Sequence, residues 1–165
     1  MQNTVIRQAT FEDIPAILEI VNHAILHTTS NYNYEVQSLE VQTKWFEDKT
    51  LKNFPVIVAV TENQVLGFGT YGTFREKIGY QFTVEHSIYV SDNFTGKGIG
   101  KLLLAALIEL AKNQKLHVMV GAIDAENKAS IAFHEKFGFE VTGNIREVAF
   151  KFERWLDLVL MQLLL

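Results

Sequence analysis

At 165 residues, 48% of them hydrophobic and 12% aromatic, the chain can fill one core and is too short for two ordinary domains, so one domain over residues 1–165 is expected. A formal charge of -4, with Lys and Arg scattered rather than clustered, gives no basic field to collect nucleic acid. With no cysteine there is no disulfide framework, no thiolate nucleophile and no cysteine metal site, and no metal is expected.

The first residues show no basic segment followed by an apolar run and a small-residue cleavage site, which makes the cytoplasm the default location. Val5 and Ile6 predict a first strand. Thr10 then caps a helix whose apolar positions Ile14, Ile17, Leu18, Val21 and Ile25 follow helical spacing, with Asp13 placed for a capping-box variant. Residues 27–34, HTTSNYNY, have no clean period and read as a loop, either a surface connection or a substrate lid. A second helix carries Leu39, Trp45 and Phe46. After Pro55, residues 56–60 and 65–71 flank Glu62-Asn-Gln and predict an antiparallel hairpin.

A longer strand over residues 80–90 leads into SDNFTGKGIGK and then a Leu/Ala-rich helix over 99–112. That helix is expected to be buried nearly all round, apart from the stripe of Lys101, Glu109 and Lys112. A strand over 117–123, a helix from about 128 ended by Gly138, and two closing strands complete the chain. The apolar tail, residues 156–165, is interrupted by Asp157 and Gln162 and falls well below the roughly 20 residues of a membrane span. It reads as a strand buried on both faces or meeting another subunit. The order of elements predicts an α/β fold: a mixed, mostly antiparallel sheet, helices on both faces and one ligand cleft.

The glycine loop carries the chemistry. Gly96, Gly98 and Gly100 remove side chains where the backbone must curl between strand and helix. The first amides of the helix have no internal acceptor, so they can meet phosphate oxygens with the helix dipole behind them. A pyrophosphate-bearing ligand is the economical reading. A dinucleotide fingerprint fails in both registers, because Lys101 or Leu103 stands where its third glycine belongs. A nucleotide-hydrolysing P-loop fails as well, because Thr95 and Leu102 occupy its diagnostic places.

The remaining pattern, strand, G-x-G-x-G, helix, resembles the acyl-coenzyme A loop of the GNAT acetyltransferase superfamily. The segments TVEHSIYV (83–90), NKASIAFHEKFGF (127–139), RWLD (154–157) and IRQATFEDI (6–14) look like the branch that acetylates phosphinothricin and methionine sulfoximine, so the likeness covers nearly the whole chain. It implies that the strand ending at Val90 splays from the strand near His117, with the pantetheine arm of acetyl-CoA in the gap. Ile88, Tyr89 and Val90 would then meet the coenzyme, and Gly96, Lys97, Gly98, Ile99, Gly100 and Lys101 its pyrophosphate. The superfamily commonly has Arg or Gln where this chain has Thr95, which implies weaker rather than absent binding.

Acetyl transfer to an amine needs a neutral nitrogen, a place for the developing oxyanion and a proton for the leaving thiolate. Glu85 is the only carboxylate in its apolar run and matches the proposed base of the branch; the alternative is a strand glutamate facing solvent. Alternation puts Glu85 and Ser87 on one face and His86 on the other, so His86 reads as a satisfied or exposed histidine, although residues beside Glu85 edge the substrate pocket in the family. His134 stands where many members carry a tyrosine thought to protonate the thiolate, and is either that acid or a packed aromatic substitute. Asn127 either caps its helix or meets the coenzyme. Lys136 reads as a solvated lysine. Arg75 matches the residue that holds the substrate carboxylate, with surface exposure as the alternative, and Glu76 and Lys77 beside it depart from the common pattern.

The function this implies is acetyl-CoA-dependent acetylation of the α-amine of a small amino-acid-like substrate by a homodimer, without nucleic acid or membrane. The alternatives are another amine or a peptide N-terminus as acceptor, or a non-catalytic acyl-CoA-binding module.

Overall fold

The computed structural model describes residues 4–62 and 64–165. Strands β1 (Val5–Gln8), β2 (Val56–Thr61), β3 (Gln64–Thr73), β4 (Thr83–Val90), β5 (Val118–Asp124), β6 (Glu140–Lys151) and β7 (Arg154–Leu164) form one sheet in the order β1-β2-β3-β4-β5-β7-β6. Neighbours are antiparallel except β4 and β5, which run parallel because α3 (Ile99–Asn113) crosses between them. The expected β2–β3 hairpin is present, although its turn residue Asn63 lies outside the described residues. The strand expected over 80–90 starts later, at Thr83, because Ile78–Tyr80 form a 3-10 turn.

Helices cover both faces, as the pattern predicts. On one side α1 (Ile14–His27) and α2 (Leu39–Leu51) bring Ile17, Ile25 and Phe46 against Val58 and Phe68. On the other, Leu103, Leu104 and Leu107 of α3 pack on Ile57, Tyr71 and Met119. The expectation that α3 is buried nearly all round is wrong: Ile99, Leu103, Leu104, Leu107, Ile108 and Ala111 form one buried face, while Leu102 is 43% exposed. The short α4 (Lys128–Glu135) packs beside β5.

The tail also differs in detail. Strand β7 pairs with both β5 and β6 and buries Leu156, Val159 and Met161, so the apolar residues left in solvent belong mainly to the edge strand β6: Val141, Ile145, Val148 and Phe150.

Entry into α1 is fixed by a buried carboxylate. Asp13 accepts the Thr10 amide at 2.7 Å and both Arg7 guanidinium arms at 2.7 and 2.8 Å, tying β1 to the helix start. These bonds, the Arg7 side chain first, hold the Asp13 carboxyl below its ordinary range. A depressed folded-state pKa contributes stability above the unfolded-state value and loses it as pH falls through the folded-state value. Asp13→Asn is therefore expected to cost about 1–2 kcal/mol at pH 7. The gap from wild type should close as pH drops below the ordinary carboxylate range, as read by urea unfolding at several pH values.

Candidate active site

Pairing between β4 and β5 covers only Thr83, Val84 and Glu85 against Val118, Met119 and Val120, after which the strands part. The gap is the floor of a cleft of about 720 Å³ lined by Glu85, His86, Ser87, Ile88 and Tyr89 of β4, by Gly121–Asp124 of β5, and by Asn127, Ser130 and His134 of the α4 segment. Residues 29–32 and the pair Phe74–Arg75 form its rim. Among the described residues no cluster of His, Cys, Asp or Glu could hold a metal ion, and no helix is long and apolar enough to cross a membrane.

The glycine loop adjoins this gap through Val90. Gly96 (φ 78°) and Gly98 (φ 83°) both adopt the left-handed conformation, with Gly98 as the N-cap of α3. The first helical bond runs from the Leu102 amide to the Gly98 carbonyl at 3.2 Å, so the amides of Ile99, Gly100 and Lys101 precede the helix ladder. A β-carbon at Gly96 or Gly98 would meet nothing within 4 Å, so the glycines are needed for backbone shape and the face beside them is open. This open amide crown fits a diphosphate. Lys97 is turned inward: its amide donates to the Phe94 carbonyl at 3.3 Å, and its ammonium donates to the Asn93 carbonyl at 2.8 Å and lies over the Phe94 ring.

Glu85 is half-buried, and burial raises its carboxyl above the ordinary range, the direction that suits a base working near neutrality. Its pairing with Gly72 puts it on the α1–α2 face, whereas His86, paired with Tyr71, lies on the α3–α4 face. The expectation for His86 needs correction: the ring is buried within the cleft and neither exposed nor fully satisfied. Alternation gives its face correctly, but β5 diverges there and opens that face to the cleft.

His86 and His134 form a stacked pair, ring centroids 5.0 Å apart, with Nε2 atoms at 3.1 Å. Their protons have one consistent placement in the neutral pair. The Ser130 carbonyl, 2.7 Å from His134 Nδ1, can only accept, so Nδ1 carries the proton. His134 Nε2 then has only a lone pair and accepts from His86 Nε2–H, which leaves His86 Nδ1 as a buried acceptor without a donor among the described residues. Burial and the neighbouring His134 push His86 down to about 3, and burial also lowers His134, so both rings are neutral at pH 7. The Gly121 backbone lies against them: a β-carbon there would lie 3.4 Å from His86 Nε2 and 3.6 Å from the His134 ring, in ordinary contact with both.

Asn127 caps α4, its Oδ1 accepting the Ser130 amide at 3.0 Å, and also lines the cleft. Arg75 lies 5.3 Å from the Phe74 ring and 6.0 Å from the Tyr80 ring at the cleft rim. Glu76 lines a neighbouring groove, Lys77 lines neither the cleft nor that groove, and Lys136 is exposed.

Sequence reasoning misses Lys151. Its buried ammonium donates to the Thr28 carbonyl at 2.8 Å and to the Asn31 carbonyl, while the Tyr34 hydroxyl donates to the Phe150 carbonyl. The β6–β7 hairpin thereby holds residues 28–34 over the cleft, which favours the lid reading of that loop over a plain surface connection. Tyr32 and Asp124, also missed, bring a phenol and a carboxylate to the cleft wall. Only the aromatic content of the loop hinted at the first.

Residues 6–160 match the acetyltransferase (GNAT) domain family. The chain belongs to the GNAT acetyltransferases. This GNAT protein is 46% identical over 159 residues to an L-methionine sulfoximine/L-methionine sulfone acetyltransferase of Pseudomonas aeruginosa, covering 96% of this chain and 92% of that protein. A phosphinothricin acetyltransferase of Sinorhizobium meliloti, solved in complex with acetyl-CoA, superposes with a TM-score of 0.95 at 34% identity, over 98% of this chain and 88% of that one. A ribosomal-protein-alanine N-acetyltransferase of Brucella melitensis superposes with a TM-score of 0.96 at 45% identity, over 98% and 99%.

Proposed function

We propose that this GNAT acetyltransferase works as one domain and moves an acetyl group from acetyl-CoA to the α-amine of a small amino-acid-like acceptor of the methionine sulfoximine, methionine sulfone or phosphinothricin type. The observation that carries this is the parting of β4 from β5 immediately beyond Glu85. It opens a gap next to a half-buried carboxylate, with the amide crown of α3 at one end and the Arg75 guanidinium at the other.

In this reading acetyl-CoA supplies the activated acetyl group. The crown from Gly96 to Lys101 binds the diphosphate, and Ile88, Tyr89, Val90 and Asn127 line the path of the arm. Glu85 takes the proton from the acceptor's ammonium, directly or through a water, as the amine enters the apolar cleft. Arg75 holds the acceptor carboxylate with its planar fork, and His86 and Ser87 border the acceptor. His134, its Nδ1 tied to Ser130, gives up the bond from His86 to take on Nε2 the proton released by the attacking nitrogen, and hands it to the departing sulfur. Transfer is direct, and no enzyme nucleophile is needed.

A screen for thiol release across amino-acid analogues tests the acceptor class. Turnover of the sulfone, sulfoximine or phosphinothricin is expected to exceed that of peptides beginning with alanine; the reverse order would favour the peptide reading that the Brucella relative suggests. Arg75→Gln is expected to raise KM for an amino-acid acceptor by about 10- to 100-fold with a smaller change in kcat.

The cytoplasm and a homodimer belong to the same proposal. The exposed apolar side chains Val141, Ile145, Val148, Phe150 and Trp155 of β6 and β7 supply a surface for a second copy. Sedimentation at dilute protein should give twice the monomer mass.

A further inference from the structure

A second cation, Lys49, shares a groove with Glu85. Lys49 of α2 donates from Nζ to the Tyr71 carbonyl at 2.8 Å and sits 5.8 and 5.5 Å from the Trp45 and Phe54 ring centroids. No carboxylate lies within salt-bridge distance of it among the described residues, and the Tyr71 carbonyl occupies one of its three donors. Burial, with like charge from Lys52, pushes Lys49 down to about 8, the signature of an ammonium short of anionic company. The exposed Asp48 and Glu76 and the half-buried Glu85 share its groove, and none of them bridges to it.

Its position relative to the base follows from the sheet. A β-carbon on Gly72 would stand 2.7 Å from Lys49 Nζ, and Gly72 is the register partner of Glu85. Directly paired residues project to the same face about 5 Å apart, so Lys49 overhangs the strand position next to Glu85. The groove, about 410 Å³, meets the main cleft at Glu85 and Ser87, which line both, while Arg75 lines only the main cleft. An amine held at Glu85 therefore has a planar guanidinium on the cleft side and a compact ammonium on the groove side.

We propose that Lys49 is the cation of a second acceptor subsite, which takes an anionic oxygen on the acceptor's side chain while Arg75 takes the α-carboxylate. The division suits the two chemistries: a fork matches a carboxylate bidentately, whereas a point charge serves a tetrahedral, phosphinate-like oxygen. Within the proposed acceptor class, the subsite favours a side chain with a charged tetrahedral oxygen, phosphinothricin, over the uncharged sulfone and sulfoximine. It rests on the reading that Glu85 meets the acceptor amine.

Calorimetry on the coenzyme A-loaded protein, with phosphinothricin and with methionine as probes, tests the assignment. Lys49→Met is expected to weaken phosphinothricin at least about tenfold and methionine less than about twofold, with coenzyme A affinity and Tm unchanged; Lys49→Arg should recover most of the loss. Equal weakening of both probes would reduce Lys49 to a brace between α2 and the Tyr71 strand, and overturn the subsite. Unchanged phosphinothricin binding, or wild type binding neither probe, would overturn it too. Wild type that binds phosphinothricin through Lys49 yet releases no thiol would leave the subsite standing and refute the acetyl-transfer reading instead.

Discussion

Replacing Glu85 with Gln is expected to lower kcat by about 10²- to 10³-fold while leaving acetyl-CoA affinity within about twofold, because the amide keeps the shape but cannot accept the ammonium proton. Stopped-flow thiol release and calorimetry read the two quantities separately. Loss of coenzyme binding together with turnover would mean that Glu85 supports the gap rather than the chemistry. Undiminished turnover would remove it from the mechanism. In wild type the acid limb of kcat/KM should lie above the ordinary carboxylate range, because burial raises the Glu85 carboxyl.

The same shift has a stability consequence of definite sign. A carboxyl whose folded-state pKa is raised favours the protonated native state, so wild type loses stability as pH rises from the unfolded-state to the folded-state value. The Gln variant carries no such charge. It should therefore be the more stable protein above this window and lose that advantage below it.

The second large effect concerns the coenzyme. Gly98→Val is expected to weaken acetyl-CoA binding by about 10- to 100-fold, because a β-branched residue cannot hold the left-handed backbone (φ 83°) that starts α3. Tm should fall by only a few degrees, about the cost of one strained residue, since no neighbouring atom lies within 4 Å of the added β-carbon and the core is untouched. Gly98→Asn, which tolerates this backbone region better, should fall between the two. Equal affinity in all three proteins would rule out the amide crown as the diphosphate site.

Much of this arrangement was legible in residue order because its signals are local. Strand alternation in β4 assigned Glu85 and His86 to opposite faces, Thr10 and Asp13 marked the entry to α1, and the glycines of the loop announced a backbone that L side chains avoid. Other features depend on partners far along the chain. His86 enters the cleft only because β5 stops pairing at Val120, and no property of residues 80–90 encodes that. Lys151 is buried by carbonyls 123 and 120 residues away, so its own neighbours could suggest only another polar strand position. Leu102 shows the limit of periodicity: an apolar side chain on α3 faces solvent because a single sheet face receives that helix.

The hollow beside Gly121 couples three positions genetically. A β-carbon there would meet both rings at ordinary contact distance, so alanine fits, whereas a longer side chain must displace one ring or the other, and shrinking either imidazole leaves a void. Exchanging His134 for a tyrosine takes away the ring nitrogen that accepts from His86, so the two positions are expected to vary together. A scan of single substitutions should therefore accept alanine at 121 and reject longer side chains there unless position 86 or 134 changes with them.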